Sequence, residues 1–500
     1  MPFEFTCSRK PCLRSCFFTN LPEPIFLCAP VVRFRLARDP CNGYLFTGRE
    51  PNPRGARMKR LLSSVEISRE PDGTVLLAVS RRDVPLIHAQ IVCPGGESLE
   101  RRTQAGASTL AAALLNEGPA GTAPLEWHRR LDRDALSLHV QARPEFWTAT
   151  LGCLSEDLCP ALDLWRKLLT RPSLPETEWK RLVLEHRAAA REEWNQPAYV
   201  IAWLAAVQAL GHGHPHARPV GERDYARLRF AEVEPLARTA FHRGAGSFAL
   251  IGGDVTVEEG FRALRELLGG LPSLSDSAPA EPPARPARAR TWLMDHGKTT
   301  QAFFAFSKPG MRASDPERVA LRLANYALGG GGFACRLMTR IRSELGHTYG
   351  IHSSLPEERF LSAFSIQSFT QLPNFARMLA LVRQVLRETA EAGFTEDEVQ
   401  AAREHLYGAL PLQLTSPGAL LGLALDGLRA GLALSDIEQD WEALRDTPGE
   451  RIHAAVRRLM GDGDFHLAVI GPARELRAQL DGEAPQAVFP FKTPPERWPG

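Results

Sequence analysis

The sequence predicts an α+β protein built as two homologous α/β-sandwich halves, joined by a linker into a clamshell. Three observations carry that reading. The chain has 500 residues, too many for one ordinary core, so more than one domain is expected. A strand–turn–strand–helix pattern occurs twice, roughly 215 residues apart. Between the copies lies a stretch that cannot build a core, Ser273 to Arg290, rich in Pro, Ala, Ser and Arg.

The elements follow in order. Residues 1–57 read as a poorly ordered leader or an over-extended start, with Met58-Lys59-Arg60 opening the patterned sequence. The first half spans 58–272. Thr74–Val79 and Ala89–Gly96 read as two strands joined by a polar turn, followed by an Ala/Leu-rich helix over Thr109–Asn116. Strands alternate at Leu136–Gln141 and Phe146–Leu151, and a helix opens at Ser173 to Glu176 and runs through Arg191. Gly246–Asp254 is a buried strand running into a glycine turn, and an amphipathic helix over Val257–Leu268 follows. Residues 273–290 are the linker.

The second half, 291–500, repeats the order. Thr291–Asp295 and Gln301–Phe306 are the two strands joined by a short polar turn, and Val319–Leu328 is the helix. Phe364–Phe369 is a strand, and Thr395-Glu396-Asp397-Glu398 is a capping box opening a helix through His405. Leu420 to Leu434, interrupted by Asp426 and Arg429, reads as a buried helix. Gly463–Gly471 and a helix over Arg474–Leu480 close the half as Gly246–Leu268 closes the first.

Composition excludes several functions. The apolar fraction is 44%, the charged fraction 24% and the net charge +2, values of a globular protein with no electrostatic footprint for nucleic acid or an anionic membrane. No apolar run reaches the roughly 18–20 residues of a membrane span. Pro22–Phe34 is mildly apolar but broken by prolines, so no clean signal peptide is present and a cytoplasmic location is the default. Five of nine cysteines (Cys7, Cys12, Cys16, Cys28 and Cys41) lie in the leader, without the paired spacing of zinc knuckles.

Three segments carry a resemblance. Gly211-His212-Gly213-His214-Pro215-His216-Ala217-Arg218-Pro219 is one. Asn325-Tyr326-Ala327-Leu328 followed by Gly329–Gly332, Phe333 and Arg336-Leu337 is the second, and Arg342-Ser343-Glu344-Leu345-Gly346-His347-Thr348-Tyr349-Gly350 the third. Together they resemble the insulinase/pitrilysin-type zinc peptidases, in the mitochondrial processing peptidase-like and bacterial two-subunit branch. The resemblance covers roughly Met58 to the C-terminus. It implies two chains closing a chamber around an unfolded peptide, one chain supplying His-x-x-Glu-His and a distant Glu, the other supplying substrate contacts.

The catalytic letters are missing. Where the family carries His-x-x-Glu-His, this chain has Thr109, Ala112 and Ala113. A catalytic zinc needs three donor side chains and an open position for water, with a carboxylate to take the water's proton. A hydroxyl and two methyls supply neither. The distant ligand falls near Glu185 or His186. By resemblance, Arg342 and Tyr349 contact substrate, Arg forking onto a carbonyl or carboxylate and Tyr steadying a developing oxyanion.

The bland readings are a surface Arg and a structural Tyr, and ordinary helix-face residues at Glu117, Glu185 and His186. His212, His214 and His216 read as a fixed turn in preference to a metal site. Gly329–Gly332 lack the Lys-Ser/Thr of a phosphate loop and read as backbone that another segment approaches closely.

The expectation is therefore a non-catalytic, substrate-binding subunit of a heterodimeric zinc metallopeptidase, with no metal of its own. Its partners would be a homologous zinc-bearing subunit and unfolded peptide. The alternatives are a peptide-binding or structural assembly protein without a proteolytic role, and a peptidase using unexpected ligands such as the His212 cluster.

Overall fold

The computed structural model describes residues 62–274, 288–345, 350–461, 463–480 and 484–499. The leader, most of the expected linker, and the segment holding Tyr349 lie outside the described residues.

The first half contributes β1 (Glu66–Arg69), β2 (Val75–Ser80), β3 (Leu86–Pro94), α1 (Ala107–Asn116), α2 (Pro124–Arg133), β4 (Ser137–Ala142), β5 (Phe146–Leu154) and α3 (Leu158–Thr170). It continues through α4 (Glu176–Glu193), α5 (Pro197–Leu210), α6 (Glu222–Arg227), α7 (Phe230–Thr239), β6 (Phe248–Gly253) and α8 (Val257–Gly269). The second half contributes β7 (Thr291–Asp295), β8 (Gln301–Pro309), α9 (Arg318–Asn325), α10 (Arg336–Leu345), β9 (Ile351–Ser354), β10 (Ala363–Gln371) and α11 (Phe375–Ala392). It ends with α12 (Glu396–Gln413), α13 (Pro417–Arg429), α14 (Leu434–Asp446), α15 (Gly449–Met460), β11 (His466–Gly471), α16 (Ala473–Arg477) and β12 (Ala487–Pro490).

The expected strands and helices are present, with shifted bounds. The helix expected to open at Ser173–Glu176 begins at Glu176 after Pro175, without a side-chain cap. The capping box at Thr395 forms, Thr395 Oγ1 accepting from Glu398 N–H (3.3 Å) and Glu398 accepting from Thr395 N–H (2.8 Å). The run expected as one helix over Leu420–Leu434 is two helices, α13 and α14, bent by 104° at the break. Among the described residues no single helix is long and apolar enough to cross a membrane.

The sheets run β1-β2-β6-β3-β5-β4 and β12-β7-β11-β8-β10-β9. β2 and β3, although joined by a short turn, are not neighbours. The last strand of the half, β6, inserts between them, parallel to β2 and antiparallel to β3. β11 does the same between β7 and β8. The turn joining the first two strands is therefore a crossover past a third strand, and no local signal records it.

The inserted strands are buried throughout because both faces are covered. Phe248 and Leu250 of β6 enter one core and Ala249 and Ile251 another. The covering helices are exchanged between halves. Leu420, Leu421, Ala424 and Leu425 of α13 pack with Val75, Leu77, Val79 and Leu250 of the first sheet. Val200, Ile201, Leu204 and Leu210 of α5 pack with Trp292, Met294, Ala468 and Ile470 of the second. Gln208 of α5 also donates to the carbonyl of Arg290 (3.1 Å). Each fully buried Leu here contributes about 1.5–3 kcal/mol of apolar burial, so the halves stabilise one another across their boundary.

Candidate functional site

α1 is a buried Ala/Leu helix. Ala107, Leu110, Ala111 and Leu114 are fully buried against the first sheet and its helices. It starts at Gly106, whose φ of +87° is left-handed, and a Cβ there would lie 2.7 Å from the Tyr225 ring. Only glycine is tolerated in that place. The helix has no cap from its own N-cap residue. Instead the Glu100 carboxylate, from six residues upstream, accepts from Gly106 N–H (3.1 Å) and Ser108 N–H (2.6 Å). A carboxylate at a helix N-terminus is favoured by the unsatisfied N–H groups and the macrodipole. Burial nonetheless pushes Glu100 up to about 7, against its backbone hydrogen bonds and Arg218. Nearby Glu97 is pushed up to about 8 by burial and by the charge of Glu100.

The three positions that the resemblance aligns with a zinc motif lie on this helix. Thr109 is half-buried and hydrogen-bonds the Tyr225 phenol. Ala112 is buried and Ala113 partly so. The distant-ligand candidates on α4 are already engaged. His186 Nδ1 meets the Leu182 carbonyl at 2.9 Å, its ring lies against Tyr225 (5.5 Å between centroids), and burial holds its imidazole below its ordinary pKa.

Glu185 is held by Arg181 at 3.0 Å. The same guanidinium binds Glu178 (2.7 Å) and Glu117 (2.5 Å). Glu117, read from sequence as a surface residue, is buried at the end of α1. Arg181 thus ties α1 to α4 by a fixed positive charge shared among three carboxylates. The arrangement holds two helices together; it offers no open coordination position and no base.

The histidine loop also falls into separate contacts. His212 Nε2 meets the Pro499 carbonyl (3.2 Å), His214 Nδ1 accepts from His216 N–H (3.2 Å), and His216 Nε2 meets Glu145 Oε1 (2.6 Å). The expected fixed turn is present. Among the described residues, one group of three side chains has metal-ligand spacing, Glu145, His216 and Glu358. Its centre, Glu145, is a buried carboxylate at the junction of the halves. Arg429 of α13 lies 3.6 Å from its second oxygen and stacks 3.5 Å above the Phe146 ring, and Phe360 N–H donates to the first (3.4 Å). Burial opposes ionisation of Glu145, but His216 and Arg429 hold its carboxyl below the usual range. A guanidinium already supplies the positive charge there. A cavity of about 160 Å³, lined by Phe146, Phe248, Arg359 and Arg429, adjoins the junction.

In the second half, α9 passes into a π turn over Tyr326–Gly330. The glycine segment is where backbone meets backbone: a Cβ on Gly329 would lie 2.7 Å from Ser353 N of β9. Beyond it, Phe333 is 68% exposed. Arg342, exposed on α10, places its guanidinium 5.5 Å from that ring. Exposure leaves its five donors available to a ligand. Sequence reasoning missed Arg336 as a structural anchor. It donates to Glu398 (2.7 Å), Thr389 Oγ1 (3.0 Å) and the Gly393 carbonyl (2.7 Å), and lies 4.7 Å from the Phe394 ring. The only available signal was its place directly after the glycine segment.

Residues 243–406 match the model of the Peptidase M16 inactive domain. The non-peptidase homolog YmxG of Helicobacter pylori is 25% identical over 363 residues, covering 70% of this chain and 81% of that one. An uncharacterized zinc protease of Mycobacterium leprae is 25% identical over 394 residues, covering 75% and 85%. The fold is shared with the peptidase M16 inactive domain from Pseudomonas fluorescens, at a TM-score of 0.75 and 23% identity over 82% of this chain and 98% of that one. It is shared too with a protease from Helicobacter pylori, at 0.71 and 15% over 82% and 99%. The helix that resembles the zinc helix of these peptidases, with Thr109, Ala112 and Ala113 in place of ligands and base, agrees with the inactive-domain match over residues 243–406: the chain is similar to inactive, non-peptidase members of the M16 peptidases.

Proposed function

We propose that this chain is the substrate-holding subunit of a two-chain zinc peptidase whose partner carries the intact zinc motif. One observation carries the reading. α1, the helix that by resemblance would carry the zinc motif, is a well-formed buried helix with Thr109, Ala112 and Ala113 at those positions, and the neighbouring α4 carboxylates Glu178 and Glu185 are taken by Arg181.

Zinc, and with it the activated water, would be supplied by the partner. This chain's own residues would bind and orient an unfolded peptide, Arg342 forking onto a carbonyl or carboxylate from its exposed place beside Phe333. Part of the peptide's binding would come from adding a strand to a sheet edge, a mode that reads backbone more than side chain.

A second reading, a scaffold without proteolytic role, is favoured by one observation: a side chain of the protein already occupies the outer edge of β4. The experiment that separates them assays fluorogenic peptides with this chain alone, its co-purifying partner alone, and both. Cleavage that needs both, and falls at least tenfold with Arg342→Ala while the complex persists, supports the first reading. A complex whose turnover ignores this chain and Arg342 supports the second.

A further inference from the structure

One edge of the first sheet is β4, bonded on its inner side to β5. At its centre the Asn116 side chain, the last residue of α1, makes both bonds a neighbouring strand would make. Its amide nitrogen donates to the Val140 carbonyl (2.9 Å), and its amide oxygen accepts from Val140 N–H (2.8 Å). Only one orientation of the amide satisfies both, so the contact is specific in direction as well as place. In an antiparallel pair the outward backbone groups recur at every second residue. The outward positions of β4 are therefore Leu138, Val140 and Ala142, and Asn116 covers the middle one.

The second half shows that this is not a general feature of the repeat. There the corresponding helix also ends in an asparagine, Asn325, and the corresponding edge strand is β9. Asn325 Oδ1 accepts from the Ser353 hydroxyl (2.8 Å), a contact between side chains. Among the described residues, this backbone substitution by the helix-end asparagine is seen in the first half only.

We propose that Asn116 is a built-in competitor for strand addition at β4: an extended peptide pairs with this edge only by displacing the Asn116 amide from Val140. An exposed strand edge invites pairing with other chains, and proteins close such edges with their own groups. Here the closing group sits on the helix with the lost zinc motif, so a chain that does not cut also does not hold peptide on this strand in its resting state. The proposal rests on the strand-addition mode of the reading above and names the residue that regulates it.

The test uses the full chain and a fluorescein-labelled heptapeptide of alternating threonine and valine, followed by fluorescence anisotropy. A copy N-methylated at every second amide along one edge serves as control. Asn116→Ala should tighten binding of the plain peptide about tenfold, about 1.4 kcal/mol, and leave the N-methylated peptide unchanged. Asn116→Asp keeps the acceptor and loses the donor, and should fall between. Equal affinity for wild type and both variants overturns the proposal, as does an equal gain for the N-methylated peptide.

If Asn116→Ala does not fold, hydrogen exchange of the wild-type Val140 amide decides. It should be protected without peptide and exchange through openings that peptide suppresses; fast exchange without peptide overturns the contact itself. The outcome is distinguishable from failure of the two-chain reading, because turnover of the complex and its dependence on Arg342 are read separately.

Discussion

The two halves share the strand order β2-β6-β3-β5-β4 and β7-β11-β8-β10-β9, with an antiparallel first strand, β1, added in one half and a parallel last strand, β12, in the other, and they differ in chemistry at the end of the helix that follows the first strands. In the first half that helix, α1, ends on closed chemistry: Asn116 on the β4 backbone and Glu117 buried against Arg181. In the second, α9 unwinds through a π turn into glycines and leaves Phe333 and Arg342 exposed. The repeat fixes the sheet and its covering helices; what each half can do depends on the few residues where helix, edge strand and loop meet. The first half closes its edge with its own groups, and the second leaves Phe333 and Arg342 exposed.

The comparison can be broken at its anchors. Arg336→Ala should rank among the largest effects, because it strands Glu398 and two other acceptors beneath α10, at a cost of about 3 kcal/mol in urea denaturation. The exchanged helices come next. Leu204→Ala and Leu421→Ala each remove a fully buried side chain and should cost about 2–4 kcal/mol. Either change should lower one shared unfolding transition; two separate transitions would show that the halves fold independently. Arg181→Ala should cost less, about 1–3 kcal/mol, since Arg181 is partly exposed while Glu117 is not.

A pH series sharpens the picture of the first half. Glu97 and Glu100 have folded pKa values raised to about 8 and about 7, above the ordinary 4.5. Between those values the folded chain holds protons the unfolded chain has released, so stability falls as pH rises from about 4.5 to about 8. The Tm of Glu97→Gln should therefore decline less than that of wild type over this window; parallel curves would place the Glu97 carboxyl in water. The smallest stability effect belongs to Arg342→Ala, within about 0.5 kcal/mol, because the side chain is exposed. Its consequence should appear only in turnover of the complex.

Much of this was legible in the sequence. Strand alternation and the doubled pattern placed nine of the twelve strands, missing β1, β9 and β12. What was not legible is long-range. Nothing local says that β6 inserts between β2 and β3, because pairing partners roughly 170 residues apart leave no mark on periodicity. The apolar all-round helix after Pro197 was an available signal of burial, but not of burial against the other half. Arg181 with Glu178 and Glu185 reads as a surface helix pair at helical spacing; only the fold brings Glu117 to it. Asn116 looks like a helix end, and its partner Val140 is set by the sheet.

The most direct measurement is peptide cleavage, with zinc content, of this chain purified from its native cells with whatever co-purifies. The account predicts no zinc on this chain, a partner bearing His-x-x-Glu-His, and cleavage only when both are present. Stoichiometric zinc and cleavage by this chain alone would contradict it.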